Sequence, residues 1–121
     1  MPEVVSVDEK NGVILVRSWG DISYDDLNST REITFSLYEK TGINKILVDA
    51  REQKSMITIG ESYDFGDDIG KDPRSRNMKW AIVPSKHTRE GTRFLETTSR
   101  NRGLNVKIHD DIESALKWLK E

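Results

Sequence analysis

Cysteine is absent from this 121-residue chain, which excludes a disulfide scaffold, a thiolate nucleophile and any zinc site built on sulfur. Histidine is scarce: His87 and His109 are the two present, and they lack the i, i+4 spacing and clustered carboxylates of a metal centre. No metal and no cofactor is expected. Only 35% of residues are apolar, and no apolar run approaches the roughly 18 residues needed to cross a bilayer. The amino end also lacks the basic-then-apolar pattern of a signal peptide, so a cytoplasmic location without membrane insertion is expected. A net charge of -2 leaves no basic excess to release counterions, and nucleic acid is not an expected partner. A Gly-x-Ser-x-Gly elbow, a phosphate-cradling glycine loop with lysine and a nucleotide fingerprint are all missing. Ser62 and Ser99 have no His and Asp partners in a recognisable arrangement. A non-enzymatic protein is the expectation.

What is present is a regular alternation of short elements. β-branched runs at Glu3 to Asp8 and Gly12 to Trp19 flank Asn11-Gly12, the strongest local signal for an antiparallel hairpin. Ser23, three residues before Asp26, opens a helix that Gly42 ends. Lys45-Ile46-Leu47-Val48-Asp49-Ala50-Arg51 is a continuous apolar run ending in an acid, the pattern of a buried central strand. A polar loop is expected from Glu52 to Thr58, where open α/β sheets place ligands at strand ends. Thr58-Ile59-Gly60-Glu61 is a second capping box, followed by a weak apolar face of Ile59, Tyr63, Phe65 and Ile69. Glycines at positions 60, 66 and 70 each cost roughly 1 kcal/mol relative to alanine, so this helix should depend on packing. Met78 to Val83 reads as a strand, Thr88 to Arg102 as a helix presenting Gly91, Phe94, Leu95 and Thr98, and Leu104 to Ile108 as a last strand. Asp110 or Asp111 caps a final helix with Ile112, Ala115, Leu116 and Leu119 at helical spacing. The order ββαβαβαβα gives one α/β domain over residues 1–121, with a mixed five-stranded sheet opened by an antiparallel hairpin and about four helices.

This order resembles the STAS-like family related to sporulation stage II protein AA. So do Leu47-Val48-Asp49 after a long first helix and Val106-x-Ile108-x-Asp110 followed by Ala115-Leu116-x-Trp118-Leu119. The resemblance runs over nearly the whole chain. It implies the fold shared by anti-sigma-factor antagonists and the cytoplasmic domains of anion transporters, often compared with lipid-binding CRAL-TRIO domains. It also implies regulation by protein contact or small-ligand sensing more than catalysis. Antagonists carry Asp-Ser-Ser/Thr-Gly after the central strand, with a phosphorylatable hydroxyl at a helix amino end. This chain has Ser55-Met56-Ile57-Thr58-Ile59-Gly60 there, without the second acid or the paired hydroxyls. Ser55 and Thr58 are the candidate phosphorylation sites; a phosphate on Thr58 would still meet free backbone N–H groups, and the alternative role for Thr58 is a plain cap.

Other candidate residues each have two uses. Asp49 can act as a base or hold a cation, or accept hydrogen bonds from the backbone that follows. Arg74, Arg76, Lys79 and Arg89 concentrate positive charge that suits an anion, or a solvated surface balanced by Glu61, Asp64, Asp67 and Asp68. On the first helix Tyr24, Leu27, Phe35 and Tyr38 share one side, while Ile33 and Leu37 project roughly opposite, beside Asp26 and Thr30. That second pair calls for a neighbouring element or a partner, most simply a twofold copy. Two functions follow: a regulatory, protein-interaction domain working through Ile33 and Leu37, or a carrier or sensor of a small apolar or anionic ligand held between Tyr63, Phe65 and Trp80.

Overall fold

One turn sets the first two strands. In the computed structural model, which describes residues 3–121 apart from the side chain of Ile59, Asp8 accepts hydrogen bonds from the Asn11 backbone N–H at 3.2 Å and from Asn11 Nδ2 at 2.8 Å. Gly12 follows with φ +68°. This closes β1 (Glu3–Asp8) onto β2 (Val13–Asp21) as an antiparallel pair with Glu3 opposite Ser18 and Asp8 opposite Val13. The two forecast caps are in place. Ser23 Oγ accepts from Asp26 N at 3.1 Å while Asp26 Oδ2 accepts from Ser23 N at 3.0 Å, opening α1 (Tyr24–Thr41). Thr58 Oγ1 accepts from Glu61 N at 3.2 Å and Glu61 Oε1 accepts from Thr58 N at 3.0 Å, opening α2 (Ile59–Lys71). Removing one such cap costs about 1 kcal/mol, so Thr58→Ala should lower the unfolding free energy by that amount in urea titration.

The remaining elements are β3 (Lys45–Ser55), a short 3-10 turn over Pro73–Asn77, β4 (Lys79–Pro84), α3 (Arg89–Asn101), β5 (Asn105–Ile108) and α4 (Ile112–Leu119). The strands lie in the order β1-β2-β3-β4-β5. Every pair after the hairpin is parallel, so the sheet is mixed, with β3 at its centre as expected. Parallel neighbours need crossovers of one hand, and successive crossovers stepping in one direction leave their helices on the same side. α1, α2 and α3 accordingly cover one face, where Phe35, Phe65, Ile69 and Leu95 meet Ile14, Val16, Ile46, Ile82 and Val106. α4 covers the other, burying Ala115 and Leu119 against Val13, Leu47, Ala81 and Val83. The glycines of α2 have a packing reason. A Cβ at Gly66 would stand 3.1 Å from Thr98 Oγ1, and one at Gly70 would stand 3.0 Å from Arg102 Cβ, so α2 lies close on α3. No described helix is long and apolar enough to cross a membrane.

Three expectations are corrected. The segment after Arg51 is strand through Ser55 rather than a loop, because β2 also continues, setting Trp19 opposite Glu52, Gly20 opposite Gln53 and Asp21 opposite Ser55. Asp49 is therefore mid-strand. The parallel strand order never reverses, so the sheet has no switch point and its strand ends form no ligand crevice of that kind. On α1, Thr30 faces inward, 8% exposed, and Leu37 is half-buried at the edge of the core, leaving Ile33 facing out at 44%. A wheel of apolar residues misses this because two threonines hold the buried stripe. Thr30 Oγ1 donates to Glu3 Oε1 at 2.7 Å and Thr34 Oγ1 donates to the Thr30 carbonyl at 2.8 Å, so both hydroxyls are satisfied without water.

Candidate functional site

Between the sheet and its three-helix layer lies a cavity of about 90 Å³. Its floor is Val16, Val48, Ala50, Ile82 and Val106, and its roof is Leu27 of α1, Phe65 and Ile69 of α2, and Leu95 of α3. Inward residues of β3 are the even-numbered ones as far as Ala50. Past that point the pairing steps from Arg17 opposite Asp49 to Trp19 opposite Glu52, so β3 holds one residue more than β2. Such a bulge flips the alternation. Gln53, which would otherwise face α4, lines the cavity instead.

Four polar side chains close this end. Glu3, Ser18, Thr30 and Gln53 are 6%, 2%, 8% and 4% exposed. Thr30 Oγ1 donates to Glu3, and Gln53 Nε2 donates to Ser18 Oγ at 2.9 Å. Gln53 Oε1, Arg31 Nε and Trp80 Nε1 are buried without a hydrogen-bond partner among the described residues. All three residues line the cavity.

Burial pushes the Glu3 carboxyl above the usual glutamate value; hydrogen bonds from Thr30 and then Ser18 oppose the rise, and Asp26 adds to it. A carboxyl that titrates higher when folded binds more protons in the native state between its unfolded and folded values. Its contribution to stability is therefore largest below the unfolded value, falls as pH rises through the folded one, and is level above that. Glu3→Gln removes this dependence. Urea unfolding of both proteins from about pH 4 to pH 8 should show the variant gaining on the wild type as pH rises; a constant difference would mean that the carboxyl is solvated.

Of the ligand and switch candidates singled out in the sequence, Phe65 and Trp80 line the cavity, and Asp49, Ser55, Thr58 and Tyr63 do not. Tyr63 is 52% exposed, with the Arg102 guanidinium 4.5 Å from its ring centre. Two residues from Phe65, it projects from the opposite side of α2, so the grouping of Tyr63 with Phe65 and Trp80 around a ligand is corrected. Asp49 accepts from Arg51 Nε and Nη2, both at 2.9 Å, and from the Arg51 backbone N–H at 3.3 Å. The Arg51 hydrogen bonds hold the Asp49 carboxyl below its ordinary value against the opposing effect of burial. Thr58 is exposed at its cap, and Ser55 Oγ, also exposed, donates to Asp21 Oδ1 at 2.7 Å. The basic residues are spread out. Arg74 pairs with Asp72 at 2.7 Å and also with Glu39, Lys79 Nζ donates to the Trp118 carbonyl, and Arg89 pairs with Asp110 at 2.6 Å. Arg76 is exposed on the 3-10 turn. Lys79 begins β4 and Arg89 follows its other end, so the four do not converge on one anion.

Sequence inspection missed Glu3, Thr30, Arg31 and Gln53. One signal was available: Glu3 shares its alternation with Val5 and Val7, which places it on the inner face of β1. The bulge that turns Gln53 inward has no comparable signature.

Solved structures share this architecture. The chain is 17% identical to an uncharacterised protein of the DUF3478 family with a SpoIIAA-like fold from Shewanella loihica PV-4, at a TM-score of 0.60 over 97% of this chain and 91% of that one. It is 16% identical to the protein TM1081, whose structure was determined by NMR, at a TM-score of 0.65 over 97% of this chain and 87% of that one. No family model matches the chain, and no curated protein does. The fold is SpoIIAA-like, as the resemblance implied.

Proposed function

We propose that this SpoIIAA-like domain is a non-catalytic carrier or sensor that holds a small, mainly apolar molecule in the cavity between its sheet and its three-helix layer. One observation carries the proposal: a cavity of about 90 Å³ is lined mainly by apolar side chains, with Glu3, Thr30, Arg31 and Gln53 among the few polar residues at its wall. Ligand sites combine a mostly apolar lining with a few fixed polar groups in this way. Access is through α2, which has three glycines and depends on its contact with α3, so it is the layer with least intrinsic stability. The acid first considered as a base, Asp49, is tied to Arg51 on the same strand, which favours binding over chemistry. Gentle native mass spectrometry and a thermal-shift series of six-carbon compounds test the proposal. Binding should raise the melting temperature and shift the amide signals of cavity residues. A clean apo mass, no thermal shift and unmoved amide signals would sink it.

A regulatory role through protein contact is a second reading, supported by the 44% exposure of Ile33 beside half-buried Leu37 on α1. Light scattering at high concentration should then give a dimer mass that Ile33→Asp reduces to a monomer. A wild-type monomer at every concentration would remove the homodimer.

A further inference from the structure

The two borders of the sheet are finished differently. At β5 the outer edge is capped from α3: Glu96 Oε2 accepts from the Ile108 backbone N–H at 2.7 Å, and Arg100 Nη1 donates to the Val106 carbonyl at 3.4 Å. At β1 no side chain or loop among the described residues hydrogen-bonds to the backbone of residues 4–7. The strand carries neither lysine nor proline, two residues that blunt exposed edges. Its inward valines, Val5 and Val7, are only half-buried, and Val4 is 50% exposed on the other face. Such an edge is a template for another strand. We infer that β1 pairs antiparallel with β1 of a second copy of this chain, about a twofold axis that also passes Ser36 of α1; this rests on the protein-contact reading above.

The helix supplies independent support. Tyr24 and Arg31 of α1 meet Phe65 of α2, and Phe35 meets Trp80. Ile33 and Leu37 are turned from Arg31 and Phe35 by about 200°, so they face out past β1. With Glu32, Ser36 and Lys40 they line a shallow groove. Strand and helix then share one centre. Thr30 is level with Glu3, to which it is bonded; Ser6 lies about 10 Å farther along β1 and Ser36 about 9 Å farther along α1, which runs the same way. Because α1 lies over β1 and β2, it stands about 5 Å from a twofold between the two β1 strands, and the two helices come about 10 Å apart, a packing distance. Centred on Ser6, the strand register sets Val5 against the partner's Val7, with every opposed pair on one face. Centred on Ser36, the helix pair sets Glu32 against the partner's Lys40 twice, with opposite charges facing. Within its own chain Glu32 has Arg31 Nη2 at 3.6 Å. Matching centres on strand and helix single out a second copy over an unrelated strand.

Single-cysteine variants of the full chain read these positions cleanly, because the sequence has no cysteine of its own. Ser6, Ser29 and Ser36 are all exposed. Under mild oxidation Ser6→Cys and Ser36→Cys should each form a disulfide-linked dimer at least about tenfold faster than Ser29→Cys, whose two copies stand about 20 Å apart in this arrangement. Lys40→Glu should weaken the dimer several-fold in light scattering, and adding Glu32→Lys to it should restore the wild-type affinity. A wild-type dimer in which Ser6→Cys links no faster than Ser29→Cys overturns the strand pairing and leaves the homodimer reading standing. Ser29→Cys linking as fast as Ser36→Cys, or no rescue by the charge swap, overturns the axis at Ser36. A wild-type monomer at every concentration, with no link in any variant, overturns both the inference and the homodimer reading.

Discussion

Replacing Ala50 with leucine should sharply weaken the binding of six-carbon compounds while raising the stability of the protein. Ala50 is 1% exposed and forms part of the cavity floor on the central strand. Leucine adds three carbons where the wall has space, and burying them contributes at most about 2 kcal/mol at roughly 0.8 kcal/mol per methylene. Imperfect fit returns part of that gain, leaving about 1 kcal/mol in urea unfolding. Affinity for these compounds should fall by about fiftyfold or more, because the new side chain occupies the volume the guest requires. A well-packed interior responds in the opposite sense, losing about 1–3 kcal/mol to overpacking. Such a loss in Ala50→Leu would mean that no usable chamber exists.

Phe35→Ala should be the most damaging single truncation. The ring is 0% exposed, meets Trp80 edge-on at 6.2 Å and has the Arg74 guanidinium 4.6 Å from its centre. Deleting a buried phenylalanine costs about 3–5 kcal/mol, and natural domains have only about 5–15 kcal/mol to lose. The variant should unfold at much lower urea concentration and lose the near-ultraviolet dichroism of Trp80 even before unfolding. A loss below about 1 kcal/mol would show that α1 is not anchored to the sheet at this point. Phe35 does not line the cavity, so a partly folded variant that still binds a six-carbon compound would separate the anchor from the binding site.

The parts that sequence made legible are those governed by local chemistry. Asn11-Gly12 forces the hairpin, Ser23 and Thr58 build their caps from residues three positions away, and Leu47-Val48 is too apolar for anything but the sheet centre. The second half of β3 was hidden because Arg51, Glu52, Lys54 and Ser55 are exposed and carry no hydrophobic alternation. Its strand character comes from pairing with β2, a long-range property. The cavity was less legible still. It needs Gln53 turned inward by an extra residue in β3, Thr30 turned inward by a hydrogen bond to Glu3, and a roof assembled from three helices. Trp80 was recognised as a candidate from its type and strand position; its partners come from segments far apart in the chain.

The consecutive placement of strands has a consequence for biosynthesis. Each new strand is laid beside the one made just before it, so the sheet can widen from a single edge as the chain leaves the ribosome, without waiting for a distant segment. Pairings between near neighbours in sequence close small loops and reach the native arrangement quickly. The exception is the floor of α4: Ala115 and Leu119 cover Val13 and Leu47 only once Ile112–Leu119 has been made, long after the strands they cover. A nascent chain that ends before α4 therefore leaves that side of its sheet bare, and arrest there is the stage at which a chaperone has most to protect.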